Sequence, residues 1–125
     1  MTDARAHVIE AELELDLGLD PAAVGAAVTV ELCGHWEHDG PCRWPHNSAI
    51  DTNEQPARFR TLFVADQSEE SDVRERIEAS LHGAEAWRVE SVRSRPVAAS
   101  ERALAQRLLT GPRLTRPITP RRTAG

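Results

Sequence analysis

The sequence predicts a small α+β domain, a two-layer sandwich in which a four-stranded mixed sheet carries two helices on one face. The predicted order of elements is β-β-β-α-β-α. Three observations lead to this class. The length of 125 residues is about that of one domain. Apolar and polar residues alternate near the N terminus, as in half-buried strands. A strand, a helix and a strand then follow one another further along the chain.

The first two strands are predicted from alternation with a period of two. Within residues 7–17, HVIEAELELDL, apolar and acidic side chains alternate strictly from Ile9 to Leu17. After a connector, residues 28–33 alternate in the same way and are predicted as the second strand. On that strand Cys33 points away from the core, and His35 follows on the same side if the strand continues.

The second half of the chain predicts the remaining elements. Residues 58–65 are apolar on both faces, which fits a central strand. A helix follows in which Val73, Ile77 and Leu81 form the buried stripe. The segment AWRVESV is predicted as the fourth strand, paired in parallel with the third through a right-handed crossover. A last helix is predicted after it, towards residue 110.

Charge and composition set the predicted limits of the domain. Residues 1–110 carry 20 acidic and 11 basic residues, a net charge of −9, and are assigned to one domain. Residues 111–125 carry four arginines and three prolines without periodicity, so they are predicted as a disordered tail. An acidic body makes nucleic acid an unfavourable partner. No stretch is apolar enough for a membrane span or a secretory signal, which predicts a cytoplasmic protein with no membrane partner.

Chemistry-bearing residues concentrate in the segment 33–46, CGHWEHDGPCRWPH, which we call the Cys/His segment. It holds both cysteines and three of the five histidines. It opens the longer irregular stretch predicted for residues 33–57. Stretches of this length without secondary structure are uncommon in compact domains and are usually functional or disordered.

Thiolate and imidazole groups are the ligands that zinc prefers, four at a time in tetrahedral geometry. The sequence therefore predicts a zinc site, with iron as the less favoured metal. An Asp-Gly turn can bring the second half of the segment back towards the first. The spacing C-x-H-x6-C-x3-H is not that of a standard zinc finger. The predicted ligands are Cys33, His35, Cys42 and His46, with His38 as an alternate.

Two alternatives to a metal remain at this point: a disulfide between the two cysteines, and an exposed polar loop without a ligand. Four ligands would close the site and make it structural, whereas three would leave a place for water or substrate. In that open form the protein is a small metal-dependent enzyme, with Glu37 or His38 handling protons. A third function to consider is an iron–sulfur or redox carrier.

The same segment contains the residue types that dominate protein interfaces, Trp36, Arg43 and Trp44. The two tryptophans are interpreted either as a hydrophobic lid over the site or as anchors for a partner protein. The sequence thus favours a zinc-stabilised binding or accessory module over an enzyme. A second protein is the expected partner, which includes a second copy of this chain.

Overall fold

The computed structural model describes residues 4–33 and 44–111. Four strands and three α-helices alternate along these residues, with a short 3-10 turn at Ala99–Glu101 before the last helix. The predicted tail lies outside the described residues from position 112 onwards. In chain order the elements are β1 (Ala4–Leu15), α1 (Ala22–Cys33), β2 (His46–Asp51), β3 (Ala57–Asp66), α2 (Glu70–His82), β4 (Trp87–Arg95) and α3 (Arg102–Thr110).

The sheet has the strand order β2-β3-β1-β4, and every neighbouring pair is antiparallel. The prediction of a mixed sheet with β3 and β4 paired in parallel was therefore wrong. These two strands do run in the same direction, but β1 lies between them and pairs with both. The order β-α-β-β-α-β with this insertion is the split βαβ arrangement of ferredoxin-like folds.

The main core lies between the sheet and the helices α1 and α2. Inward residues of β1 and β3 alternate along the strands, as the period-two pattern predicted for β1. The three predicted apolar positions of α2 are all fully buried, so this helix is confirmed. The largest buried side chains of this core include Ile9, Leu13, Phe59 and Phe63.

The segment predicted as the second strand is instead the helix α1. Its buried positions Val24, Val28 and Leu32 are four residues apart, the spacing of one helix face. The helix contains four alanines, the residue with the highest helix propensity. The Asp20 side chain accepts a hydrogen bond of 3.0 Å from the Ala22 backbone N–H at its start.

The missing strand is β2, inside the stretch predicted to be irregular. Its residues alternate between half-buried and exposed, but they are mostly polar, so they carry a weak hydrophobic signal. Ser48 and Thr61 explain how polar groups fit here, because their hydroxyls share a hydrogen bond of 2.9 Å across the strands. Because β2 lies at the edge of the sheet, it has a single neighbouring strand, β3.

The helix α3 lies on the opposite face of the sheet from α1 and α2, so the prediction of a two-layer sandwich with both predicted helices on one face was wrong. Ala105 packs there against Val8 and Leu62, beside partly buried Leu104 and Leu108. The rest of this second face is covered by charged side chains of both signs. No helix within residues 4–33 and 44–111 is both long enough and apolar enough to cross a bilayer.

Candidate functional site

Cys33, the first residue of the Cys/His segment, ends α1 and is not on a strand. Its side chain is 8 % exposed and belongs to the core between the helices and the sheet. The sulfur is disulfide-bonded. The sequence contains one other cysteine, Cys42, which lies outside the described residues. The strand geometry that was expected to turn Cys33 and His35 to one side therefore does not apply.

His46 opens β2 at the same corner of the domain. Its Nδ1 lies 3.1 Å from the Trp44 carbonyl oxygen, and its Nε2 lies 3.1 Å from the Thr29 hydroxyl. Because a carbonyl oxygen can only accept, Nδ1 carries the proton of the neutral ring. Nε2 then accepts from Thr29, which precedes Cys33 by one turn of α1. The structure thus brings the two ends of the Cys/His segment to one corner.

Trp44 packs into the core and is 8 % exposed. Its indole Nε1 donates a hydrogen bond of 3.3 Å to the Glu69 carboxylate. The guanidinium carbon of Arg76 lies 5.3 Å from the centre of its ring, within the range of a cation–π contact. This placement leaves little of the ring exposed for a partner protein, and the interpretation of Trp44 as a lid over a metal stays a prediction.

The remaining predicted site residues lie outside the described residues, so the predicted ligand set is not tested by the structure. Within residues 4–33 and 44–111, no three Cys, His, Asp or Glu side chains come together as a metal site. The residues outside the described ranges are His35, Trp36, Glu37, His38, Cys42 and Arg43.

The element order and the sheet topology define a ferredoxin-like α+β domain, in which Cys33 at the end of α1 and His46 at the start of β2 bound the Cys/His segment. Comparison with known proteins adds no family to this description. No family model, no curated protein and no solved structure matches the chain.

Sequence analysis missed three residues that position this corner, namely Thr29, Glu69 and Arg76. Thr29 binds the His46 ring, and the other two contact Trp44. Arg76 also pairs with Glu31 of α1. Thr29 lies on α1, Glu69 caps the start of α2 and Arg76 lies in the middle of α2, each more than ten residues from its partner. No local pattern signals such contacts, because they depend on how the helices lie over the sheet.

A second group of titratable side chains lies around His7, beside Glu70 and Arg74 near the start of α2. The His7 ring stacks on Phe63 with 5.2 Å between the ring centres. Burial lowers the pKa of His7 below its usual 6.5, and the charges of Arg74 and Arg5 lower it further. A hydrogen bond with the Ala65 backbone opposes this shift. The pKa of His7 is therefore lower in the folded protein than in the unfolded chain, and folding favours the neutral ring.

This lowered pKa predicts a loss of stability in mild acid. The unfolded chain binds a proton near pH 6.5 and the folded chain only at lower pH, so stability is complete above 6.5 and falls below it. As the pH falls from about 7.5 to about 5, the wild type should therefore lose more stability than His7→Gln. Urea unfolding at several pH values measures this. The exposed His82→Gln variant should keep the wild-type slope, and an unchanged slope in His7→Gln would contradict the assignment.

Proposed function

We propose that the protein is a small zinc-binding accessory module whose metal is held by the Cys/His segment when its cysteines are reduced. The ligands proposed are Cys33, His35, Cys42 and His46, with His38 as the alternate. The observation that carries the proposal is the state of His46. Its Nδ1 proton is bonded to a backbone carbonyl, and its Nε2 presents a lone pair towards α1.

This state of the ring is the one that metal-binding histidines adopt. Such a histidine donates its second ring N–H to a carbonyl or a carboxylate, which fixes the tautomer and the ring orientation. Zinc would replace the Thr29 hydroxyl as the partner of Nε2. Cys33 follows Thr29 by one helical turn, which supports a shared ion between the two ends of the segment.

The disulfide at Cys33 and a zinc ion are alternative states of the same sulfur, because a metal ligand must be a thiolate. In a reducing compartment thiols are kept reduced, which favours the zinc form. Oxidation would release the metal and close the disulfide. The proposal therefore predicts zinc only in protein prepared with a reductant.

Replacing His46 by alanine should abolish stoichiometric zinc binding. Protein purified anaerobically with a reductant is expected to contain about one zinc per chain, because structural sites hold one ion with four ligands. Loss of one ligand should lower the affinity by about 100-fold or more. Metal analysis by mass spectrometry after dialysis measures the content.

His82→Ala is the matched control, since His82 is an exposed histidine at the end of α2. It should retain the zinc of the wild type. The proposal fails if reduced wild-type protein carries no more zinc than His46→Ala, or if a chelator leaves its stability unchanged. If iron is found in place of zinc, the proposed ligands stand and the identity of the metal is revised.

A redox function is the second candidate, because Cys33 is in a disulfide. The position of Cys33 argues for a disulfide that exchanges slowly and against a reactive thiol. The sulfur is nearly buried, and it lies at the C-terminal end of α1, where the helix dipole disfavours negative charge. Alkylation with and without reductant, followed by intact mass measurement, reports the fraction that is oxidised.

An accessory role is proposed over catalysis because the segment offers interface residue types. With Trp44 packed into the core, Trp36 and Arg43 remain the proposed contacts for a partner protein or a second copy of the chain. The charged face of the sheet supports a partner other than nucleic acid. Its arginines are matched by glutamates, as in the pairs of Arg88 with Glu14 and of Arg93 with Glu10.

A further inference from the structure

A cleft of about 260 Å³ lies beside His7, where the start of α2 meets the ends of β1 and β4. Its polar lining comes from α2 and β4 as well as from His7. Glu70 and Arg74 contribute from α2, and Ser94 and Arg95 contribute from β4. This volume is below the 300–1,000 Å³ that is typical for drug-sized ligands, so it suits a group of a few atoms.

Two polar atoms of residues lining this cleft are buried without a hydrogen-bond partner among the described residues. They are Nε2 of His7 and Nε of Arg74. Because Nε2 has no partner, the bond between the His7 ring and the Ala65 backbone uses Nδ1. Another nitrogen of Arg74 is ion-paired with Glu70. Buried polar groups are nearly always satisfied, so an exception of this kind calls for a partner.

We propose that this cleft binds a small oxyanion, which Arg74 holds through its guanidinium while His7 takes up a proton from solvent and donates it as a hydrogen bond from Nε2. Guanidinium groups form strong, directional bonds with phosphate and carboxylate oxygens. The bound negative charge offsets the burial and the arginine charges, both of which oppose a proton on His7. No covalent bond forms or breaks.

The charges around the His7 ring determine whether proton uptake and anion binding favour or oppose each other. Arg5 of β1 and Arg74 of α2 both oppose a proton on His7. Arg95 of β4 is engaged by glutamates on the other face of the sheet. Glu70 competes with an anion for Arg74, because it already pairs with that guanidinium. An anion and a proton should therefore enter together, and removal of the Glu70 charge should favour both.

The test is an NMR titration of the His7 ring in sodium phosphate, with sodium chloride at equal ionic strength as the reference. Phosphate should raise the pKa of His7 by about one unit in a saturable way, which corresponds to about tenfold tighter binding to the protonated ring. Arg74→Gln should weaken phosphate binding about tenfold or more. Glu70→Gln should strengthen it several-fold, an effect that a folding defect does not produce. An acetate series distinguishes carboxylates from phosphates.

Arg107→Gln is the matched control, because it removes the same charge from an exposed position on α3. It should bind phosphate like the wild type. The proposal is overturned if neither anion changes the His7 titration beyond the effect of chloride. It is also overturned if Glu70→Gln binds no better than the wild type. If Arg74→Gln does not fold, the Glu70→Gln comparison decides.

Discussion

Trp44→Ala is expected to lower the free energy of unfolding by about 3–5 kcal/mol, the usual cost of removing a large aromatic side chain from a core. The ring is 8 % exposed and packs in the core between the sheet and the helices. Its truncation also leaves the carboxylate of Glu69 and the guanidinium of Arg76 without the indole. Because small domains are stable by about 5–15 kcal/mol, much of the protein's stability is at stake.

Urea unfolding of a short series of variants resolves the contributions of Trp44. Trp44→Phe keeps an aromatic ring beneath Arg76 and loses the indole donor to Glu69, so it should cost about 1–2 kcal/mol. Val30→Ala removes an exposed apolar side chain from α1 and should change stability by less than about 0.5 kcal/mol. A Trp44→Ala effect as small as that of Val30→Ala would restore the interpretation of Trp44 as an exposed anchor.

Glu101→Gln is expected to cost about 2–3 kcal/mol at neutral pH and to loosen α3 from the sheet. The Glu101 carboxylate is 12 % exposed and accepts two hydrogen bonds, of 2.8 and 2.9 Å, from the Arg95 guanidinium. It also lies 3.4 Å from Nε of Arg60 and accepts a bond from the Ala98 backbone. Since the apolar contact between α3 and the sheet is small, the Glu101 carboxylate contributes much of the free energy that holds α3 against the sheet.

The same carboxylate predicts a loss of stability in acid. The hydrogen bonds from Arg95 lower the pKa of Glu101 to about 2 from its usual 4.5, although burial opposes the shift. Its stabilisation is therefore complete above pH 4.5 and is lost as the pH falls towards 2. At about 1.4 kcal/mol per unit, this amounts to at most about 3.5 kcal/mol. The pKa of Glu10 is lowered as well, because bonds from Arg95 and Arg93 outweigh its burial, and it adds to the loss.

Unfolding measured from pH 6 down to pH 3 tests this prediction, and hydrogen exchange in residues 102–110 tests the loosening of α3. Glu101→Gln should flatten the acid slope and speed exchange in α3. Glu90→Gln is the matched control, because Glu90 pairs with Arg88 where both side chains are exposed. It should change stability by less than about 0.5 kcal/mol. Equal effects of the two variants would show that Glu101 does not hold the helix.

The elements that could be predicted are those whose own residues have one clear period. The strand β1, the helix α2 and the last two elements were placed within a few residues. The helix α1 was mistaken for a strand because Val28, Val30 and Leu32 alternate, while Val24, Val28 and Leu32 also recur every four residues. The strand β2 was missed because an edge strand buries one face only and needs few apolar residues.

The candidate site was predicted from composition, and that prediction stays untested. Clustering of cysteine and histidine pointed to Cys33 and His46; in the structure Cys33 ends α1, and the His46 ring contacts Thr29, one turn earlier on that helix. The expected arrangement of Cys33 on a strand was wrong, because the segment before it is helical. The hydrogen bond between Thr29 and the His46 ring, which helps to orient that ring, joins residues that are 17 positions apart.

The sequence by itself determined which segments form most of the elements, and where the metal-ligand types concentrate. Only the tertiary structure decided that β1 separates β3 from β4, that α3 covers the second face of the sheet, and that Glu101 meets Arg95 and Arg60 there. The reason is physical. Periodicity reports which face of a single element avoids water, whereas strand order and side-chain pairing depend on contacts between residues that are distant in the chain.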